Sequence, residues 1–475
     1  MRKTKIVCTI GPASRNEKIL KEMITSGMNV ARLNFSHGSH EYHLETIELI
    51  KKVRSEMGVP LAIMLDTKGP EIRIKSFKNS VAKLEEGNLF TLYADERDGD
   101  ENGVSVTYPS LASYIRGGET LLVDDGNIRL EALKPEGDDI VCRVITGGEL
   151  SDKKGINIPC VNIDMPYLSE RDKEDIRFGI ENDVDFIAAS FVRSAEDVKA
   201  LRKFKDYHGG HDIRIISKIE NMQGVENFDE ILKNSDGIMV ARGDMGVEVS
   251  FEKLPGLQKR FINRCYQAGK MAICATQMLE SMISHPNPTR AEITDVANAV
   301  FDGTSAVMLS GETAMGNYPV LTVQVMARIA EQAESDAFEM GYYSGKKYDM
   351  DTDTTNAMCD AACTTARDIN AKAIIALTKC GHTARRMSKF RPFEPIVAAT
   401  PLEKTFHQLS LSWGVYPVVA RYQQDSESLF RHAIDCAKQI DLVENGDIVV
   451  IAAGVPLDTT GSTNLLKVSV VGAKY

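Results

Sequence analysis

Eight short apolar runs alternate with amphipathic stretches along the chain, and this pattern predicts an α/β protein built on a (β/α)8 TIM barrel. The runs, rich in Val, Ile and Ala, are 5–10, 30–35, 61–65, 186–191, 213–219, 237–241, 271–275 and 306–309. They are continuous rather than alternating in polarity, as strands buried on both faces of a parallel sheet require. Helix-like segments such as 17–25 and 43–54 follow them.

The third unit is interrupted. After Asp66 the next helix is expected only from about Ser169, and between them lie short strands expected at 71–74, 89–93, 104–107, 120–123, 127–130 and 140–144. Asp125-Gly126 is a turn signal among them. This predicts a small all-β domain inserted into one barrel loop, where insertions are best tolerated. From Gly341 the polar stretch GYYSGKKYDMDTDTT marks a further boundary. A C-terminal α/β domain follows, with strands expected at 373–377, 396–399, 416–420, 447–452 and 468–471. The expected limits are 1–68 with 167–340 for the barrel, 69–166 for the insert and 341–475 for the C-terminal domain.

Composition narrows the partners. With 475 residues the chain has room for about three domains. A net charge of −11 argues against nucleic acid or an anionic membrane. Anionic small molecules stay open, because local cations can reverse the field inside a cleft. The start lacks the apolar core of a signal peptide, and no uncharged apolar run is long enough to span a membrane. A cytoplasmic location is therefore expected. The nine cysteines form no CxxC pair. Cys359 and Cys363, four apart, are expected on one helix face as reduced thiols rather than metal ligands.

In such barrels the chemistry sits at the C-terminal ends of the strands. At the second strand Arg32, Asn34 and Ser36 share a face, with Leu33 and Phe35 on the other. The third strand ends in Asp66-Thr67, and Lys218 and Glu220 share a face at the fifth. The sixth runs into Arg242-Gly243-Asp244, the seventh into Thr276, the eighth into Ser310-Gly311-Glu312. Any one such residue could simply cap the next helix, and Thr289 with Glu292 is read that way, as a capping box. Six polar strand ends on one rim are poorly explained by capping.

Charge then indicates what the rim holds. Asp66, Glu71, Glu220 and Asp244 would gather carboxylates that repel one another unless cations or protons intervene. With no His or Cys among them, oxygen ligands suit Mg2+ or Mn2+ better than zinc. Arg32, Arg73, Lys154 and Lys218 supply positive charge for a phosphorylated ligand.

At these residues the sequence resembles the pyruvate kinase family, in order and across nearly the whole chain. The motifs are KIVCTIGPAS, ARLNFSHG (31–38), MLDTKGPEIR (64–73), KKGINIP (153–159), ISKIEN (216–221), MVARGDMGVE (239–248), ATQMLESM (275–282) and DGTSAVMLSGETAMGNYPV (302–320). The resemblance implies phosphoryl transfer from phosphoenolpyruvate to ADP, giving pyruvate and ATP in glycolysis. It implies that Lys218 acts on the transferring phosphoryl group and Arg32 contacts the substrate phosphate. Glu220 and Asp244 are then the Mg2+ (or Mn2+) ligands, and Asn34, Ser36, Asp66 and Thr67 the K+ ligands. Gly243, Asp244 and Thr276 hold the substrate carboxylate, with Thr276 or a water chain near Ser310 and Glu312 as proton source. Arg73 and Lys154, with Asn34 and His37, address the nucleotide. The inserted domain acts as a lid, and a homotetramer is expected. A metal-dependent lyase on a pyruvate enolate would not need Lys154, a lid or a monovalent site, and a silent metabolite sensor would not need the full catalytic set.

The C-terminal domain carries one more candidate. Thr378, Lys379, Cys380, Gly381, His382 and Thr383 join a strand to a helix expected at 384–389, offering donors to a phosphate or, more plainly, a Thr cap. This loop resembles the family's effector phosphate loop, which implies activation by a phosphorylated metabolite. The later loop 453–461 has Asp458 and no basic residue, favouring a monophosphate (AMP or a sugar monophosphate) over a bisphosphate.

Overall fold

A computed structural model describes residues 1–159, 161–343, 353–423, 425–455 and 463–473. Eight parallel strands close a barrel: β1 (Lys5–Thr9), β2 (Val30–Asn34), β3 (Ala62–Asp66), β4 (Phe186–Ala189), β5 (Arg214–Ile219), β6 (Gly237–Ala241), β7 (Met271–Ala275) and β8 (Ala306–Leu309). Strand β8 returns to β1, with Lys5 beside Ala306. The (β/α)8 expectation holds.

The two-residue period of a strand sorts the side chains. Val7, Val30, Met64, Phe186, Ile216 and Met239 fill the barrel interior. Their neighbours Ile6, Ala31, Leu65, Ile187, Ile215 and Ile238 pack outward beneath the helices. Continuous apolar runs were the signal because both faces are buried. Leu411, from the C-terminal part of the chain, joins the interior set and closes the end opposite the rim. Beside it Gln408 Nε2 donates to the carbonyls of Asp185 (3.1 Å) and Asp212 (2.7 Å). The helix Arg290–Asp302 starts at the expected capping box, Thr289 with Glu292.

Between β3 and helix Glu170–Glu181, whose N-cap is Ser169, the chain forms a separate seven-stranded sheet and a two-stranded one. They enclose a core of their own that includes Ile74, Phe90, Leu121 and Leu130. Some expected strands differ. The strand at 71–74 shrinks to Ile72–Arg73, that at 104–107 shifts to Gly103–Ser105, and that at 127–130 extends to Ile128–Glu136. Val81–Leu84 and Gly148–Ser151 pair with each other and were not foreseen, since each is only four residues long and half exposed.

The C-terminal sheet has the order Val415–Val419, Ile396–Thr400, Ala373–Leu377, Ile448–Ala453, Leu465–Val470, with the last strand antiparallel. Cys359 and Cys363 lie buried on one face of helix Thr354–Asp368, directed at carbonyls of the neighbouring helix. Most of the polar boundary stretch, 344–352, and the residues 456–461 of the later loop lie outside the described residues. Among the described residues no helix is long and apolar enough to cross a membrane.

Just beyond β2, Phe35 is 2% exposed and stacks on the His43 ring with centroids 3.9 Å apart. This anchor holds the strand end so that Asn34 and Ser36 can face the rim. Phe35→Ala is expected to cost about 3–5 kcal/mol, read as a lowered denaturant midpoint. A loss under about 0.5 kcal/mol, the range of neutral surface changes, would show that the ring does not anchor this end.

Candidate functional site

The rim is organised around one buried ammonium. Lys218 Nζ, from β5, lies 3.1 Å from Asp66 Oδ1 of β3 and 2.9 Å from Glu220 Oε1 just beyond β5. It also donates to Ser190 Oγ, just beyond β4, at 2.8 Å. Arg32 Nε reaches the other Asp66 oxygen at 2.6 Å, and its Nη1 donates to Thr9 Oγ1 at 2.8 Å. These contacts follow from register, since Asp66 pairs with Asn34 on one side and Ala188 on the other.

Electrostatics explains the arrangement. Burial alone would raise the Asp66 carboxyl, but Arg32 and Lys218 hold it below the ordinary carboxylate range. Burial would lower the Lys218 ammonium, yet Asp66 and Glu220 keep it above its usual value. Glu220 moves the other way: burial pushes its carboxyl up, Lys218 opposes, and Asp244 adds to the rise. Asp244 itself makes no ion pair among the described residues. Three carboxylates thus share two cations, and the pair Glu220 and Asp244 is left short of positive charge. Two carboxylates fit Mg2+, which seldom takes an all-protein cage and commonly keeps several waters. No group of three or more His, Cys, Asp or Glu suited to a metal occurs among the described residues.

Glu71 does not join this cluster. Its carboxylate accepts from Arg73 Nε at 2.7 Å within the inserted domain, so the expected four-carboxylate group is three. Arg73 also donates to Lys153 O (2.6 Å), and Lys154 pairs with Asp124 (2.6 Å). Strand pairing places Gly155 opposite Arg73, which brings both nucleotide candidates together. His37 is exposed on the loop after β2.

The backbone of the rim is contorted where function is expected. Phe191 (φ 52°), Thr276 (φ 70°) and Gln277 (φ 54°) sit in the left-handed region, which a β-branched residue such as Thr rarely adopts. The Phe191 N–H donates to Glu220 Oε2 at 2.6 Å. Thr276 Oγ1 accepts from Gly243 N (2.8 Å) and donates to Ala275 O (2.6 Å), so these donors close on each other. Asn34 Oδ1 accepts from Ser36 N at 3.1 Å. Glu312 is tied to backbone N–H groups of Ser310 (2.6 Å) and Leu279 (3.2 Å), and the Ser310 hydroxyl is buried without a partner among the described residues.

Two site residues escaped the sequence reading. Ser190 donates to Thr67 O at 2.6 Å, and its N–H donates to Thr67 Oγ1 at 3.1 Å, linking Lys218 to the Asp66-Thr67 corner. Thr9 holds Arg32. Both sit at the ends of apolar runs, and a check for a polar residue at every strand end would have found them.

The inserted domain is seated on this rim. A Cβ at Gly126 would lie 4.0 Å from Val247 Cγ1. Burial, and then Asp244, raise the Asp125 carboxyl at the same tip. Glu248 accepts from Asn157 of the insert (3.2 Å) and from Met222 N of the barrel (3.0 Å). A cavity of about 290 Å³ remains beside this bridge, lined by Ile72, Ile158, Met165, Phe191 and Met222 among others.

In the C-terminal loop the helix is His382–Lys389, beginning two residues before the expected start. Its N-cap is Gly381 (φ 81°) with no side-chain cap bond, so the Thr-capped alternative fails. Thr383 Oγ1 is hydrogen-bonded to Thr463 Oγ1 at 2.8 Å, while Lys379 and Cys380 are exposed and Thr378 is buried.

The pyruvate kinase barrel-domain model matches residues 1–323, and the pyruvate kinase alpha/beta-domain model matches 356–469. A pyruvate kinase of Clostridium acetobutylicum is 46% identical over 472 residues, 99% of this chain and all of that protein. One from Clostridium perfringens is 47% identical over 98% of this chain and 99% of its own. One from Staphylococcus aureus is 47% identical over 99% of this chain and 81% of its own. With both family models in sequence along it and relatives alike end to end, the chain belongs to the pyruvate kinase family of phosphotransferases.

Proposed function

We propose that this chain moves the phosphoryl group of phosphoenolpyruvate onto ADP, giving pyruvate and ATP in glycolysis. The observation that carries the proposal is Lys218, held among Asp66, Glu220 and Ser190 at the open end of the barrel. Phosphoryl transfer asks mainly for positioning and for neutralising charge spread over oxygen atoms. An ammonium about 4 Å from that charge contributes about 4 kcal/mol at an effective dielectric of about 20. Expressed only in the transition state, this is about a thousandfold in rate.

In this scheme Lys218 and Arg32 hold the phosphate, and Gly243, Asp244 and Thr276 hold the carboxylate. The bonds that Gly243 N–H now gives to Thr276 Oγ1, and Thr276 Oγ1 to the Ala275 carbonyl, must open to do so. Thr276, or a water chain near Ser310 and Glu312, is the proton source for the methylene carbon, with Thr276 the catalytic candidate of the two. Asn34, His37, Arg73 and Lys154 address the nucleotide. Glu220 and Asp244 are the residues for Mg2+ or Mn2+, which when bound supplies charge for the phosphate and enolate oxygens. Asn34, Ser36, Asp66 and Thr67 are the residues for K+. The insert is the lid that excludes water from the transfer.

The same proposal takes 1–68 with 167–340, 69–166 and 341–475 as domain limits, a cytoplasmic homotetramer as the working form, and no nucleic acid or membrane partner. It includes activation by a phosphorylated metabolite at Thr378, Lys379, Cys380, Gly381, His382 and Thr383. The Gly381-capped helix start and exposed Lys379 support that assignment.

A coupled assay for pyruvate tests the reaction. Activity is expected with phosphoenolpyruvate and ADP, and Lys218→Met is expected to lose nearly all of it while still binding Mg2+. A variant that kept a tenth of the parent rate would remove Lys218 from its role.

Dependence on K+ is expected as well. In the resemblance, Glu at the position of Glu71 accompanies monovalent dependence, and no Lys ammonium stands there to replace the ion's charge. Rates in tetramethylammonium buffer should be low and rise on adding K+, and Glu71→Lys should weaken the response. Full activity without K+ or Na+ would rule this out.

A further inference from the structure

The chain leaves the barrel for the insert through Lys68, Gly69 and Pro70. It returns through Pro166, Tyr167 and Leu168 to Ser169, the N-cap of helix Glu170–Glu181. The two legs are fastened together. Asp172, 1% exposed, accepts from Gly69 N at 3.0 Å on the outgoing leg. On the returning leg it accepts from Ser169 N at 3.2 Å and from the Ser169 hydroxyl at 2.5 Å.

Both legs also close on one peptide unit, Ser190–Phe191, just beyond β4. Gly69 (φ 75°) passes so near that a Cβ there would lie 2.9 Å from both the oxygen and the Cβ of Ser190, so only glycine fits. From the returning leg the Tyr167 hydroxyl donates to Ser190 O at 3.0 Å. No other donor reaches that carbonyl among the described residues. Tyr167 is itself buried, and burial, with Asp197, Asp172 and Glu220 nearby, holds its phenol well above the usual range. The hydroxyl therefore stays a donor.

A peptide unit is planar, and its C=O and N–H point in opposite directions, so holding the carbonyl aims the N–H. Here the Phe191 N–H donates to Glu220 Oε2 at 2.6 Å. The Ser190 hydroxyl accepts from Lys218 Nζ at 2.8 Å. Phe191 has φ 52°, a conformation that a bulky residue rarely adopts and that persists only where neighbours enforce it. A buried carbonyl deprived of its donor is costly, and Ser190 is 2% exposed. Tyr167 is thus one of the enforcing neighbours.

We infer that Tyr167 is a positioning residue of the rim: through the Ser190–Phe191 peptide its hydroxyl fixes where Glu220 and Lys218 stand. It touches neither side chain and acts at one remove on each. Because Tyr167 lies on a leg of the insert, the root of the insert and these two charged groups move as one unit.

Hydrogen exchange followed by mass spectrometry, and Mn2+ binding read from the electron paramagnetic resonance of the free ion without substrates, test this on the full chain. Tyr167→Phe removes only the hydroxyl. The Phe191 amide should then exchange about three- to tenfold faster, and Mn2+ should bind more weakly by a similar factor, the range one hydrogen bond supplies. Tyr207→Phe, at an exposed ring, should change neither. In the coupled assay kcat should fall by about the same factor while KM for phosphoenolpyruvate stays within about twofold. That last expectation rests on the reaction proposed above. A parent chain that formed no pyruvate would refute the reaction, while exchange and Mn2+ binding would still decide the role of Tyr167. Exchange and Mn2+ affinity unchanged in Tyr167→Phe would overturn the inference. Protection lost evenly over the barrel amides would overturn it too, since that marks a purely structural role.

Discussion

Lys218 Nζ lies 3.1 Å from Asp66, 2.9 Å from Glu220 and 2.8 Å from Ser190, acceptors contributed by three different strand ends. A buried ammonium is costly unless opposite charge and hydrogen bonds surround it. Here the cost is offset only while the three strand ends stay in register. The barrel supplies that register, because a parallel closed sheet allows no strand to slide without moving its neighbours. In turn, Asp66 also holds Arg32, and Glu220 also holds the strained Phe191 peptide. Much of the rim is therefore positioned, directly or at one remove, by a single charge.

The same constraint orders the periphery. Leu411 and Gln408 close the far end of the barrel from the C-terminal side. The insert reaches the near end at Gly126 and Glu248. Both contacts brace strand ends, and both bring charged groups from another domain to the barrel. At the rim the insert adds Asp125 to the barrel's own carboxylates near Asp244. The folded chain does not neutralise that charge by itself, which is why the rim is read as a place for a ligand.

Much of this was legible in the sequence. Continuous apolar runs revealed the eight barrel strands because burial on both faces removes any alternation. The alternation of Arg32, Asn34 and Ser36 with Leu33 and Phe35 gave the orientation of β2 correctly. What stayed hidden depends on neighbours distant in sequence. Ser190 and Thr9 look like ordinary small residues in apolar runs, and only pairing across strands makes them hydrogen-bond partners of Lys218 and Arg32. Glu71 looked like a fourth carboxylate of the cluster, and the local strand turns it to Arg73 instead. The short paired strands Val81–Leu84 and Gly148–Ser151 carry too few buried side chains to leave a pattern.

Lys218 and Asp66 stabilise each other through their buried contact. A double-mutant cycle on denaturant unfolding, using Lys218→Met, Asp66→Asn and the pair, measures this coupling directly. Removing either partner leaves the other charge buried, so each single change should be more costly than the double variant implies. A coupling of about 1–3 kcal/mol in favour of the pair is expected. Additive losses, within about 0.5 kcal/mol, would contradict it.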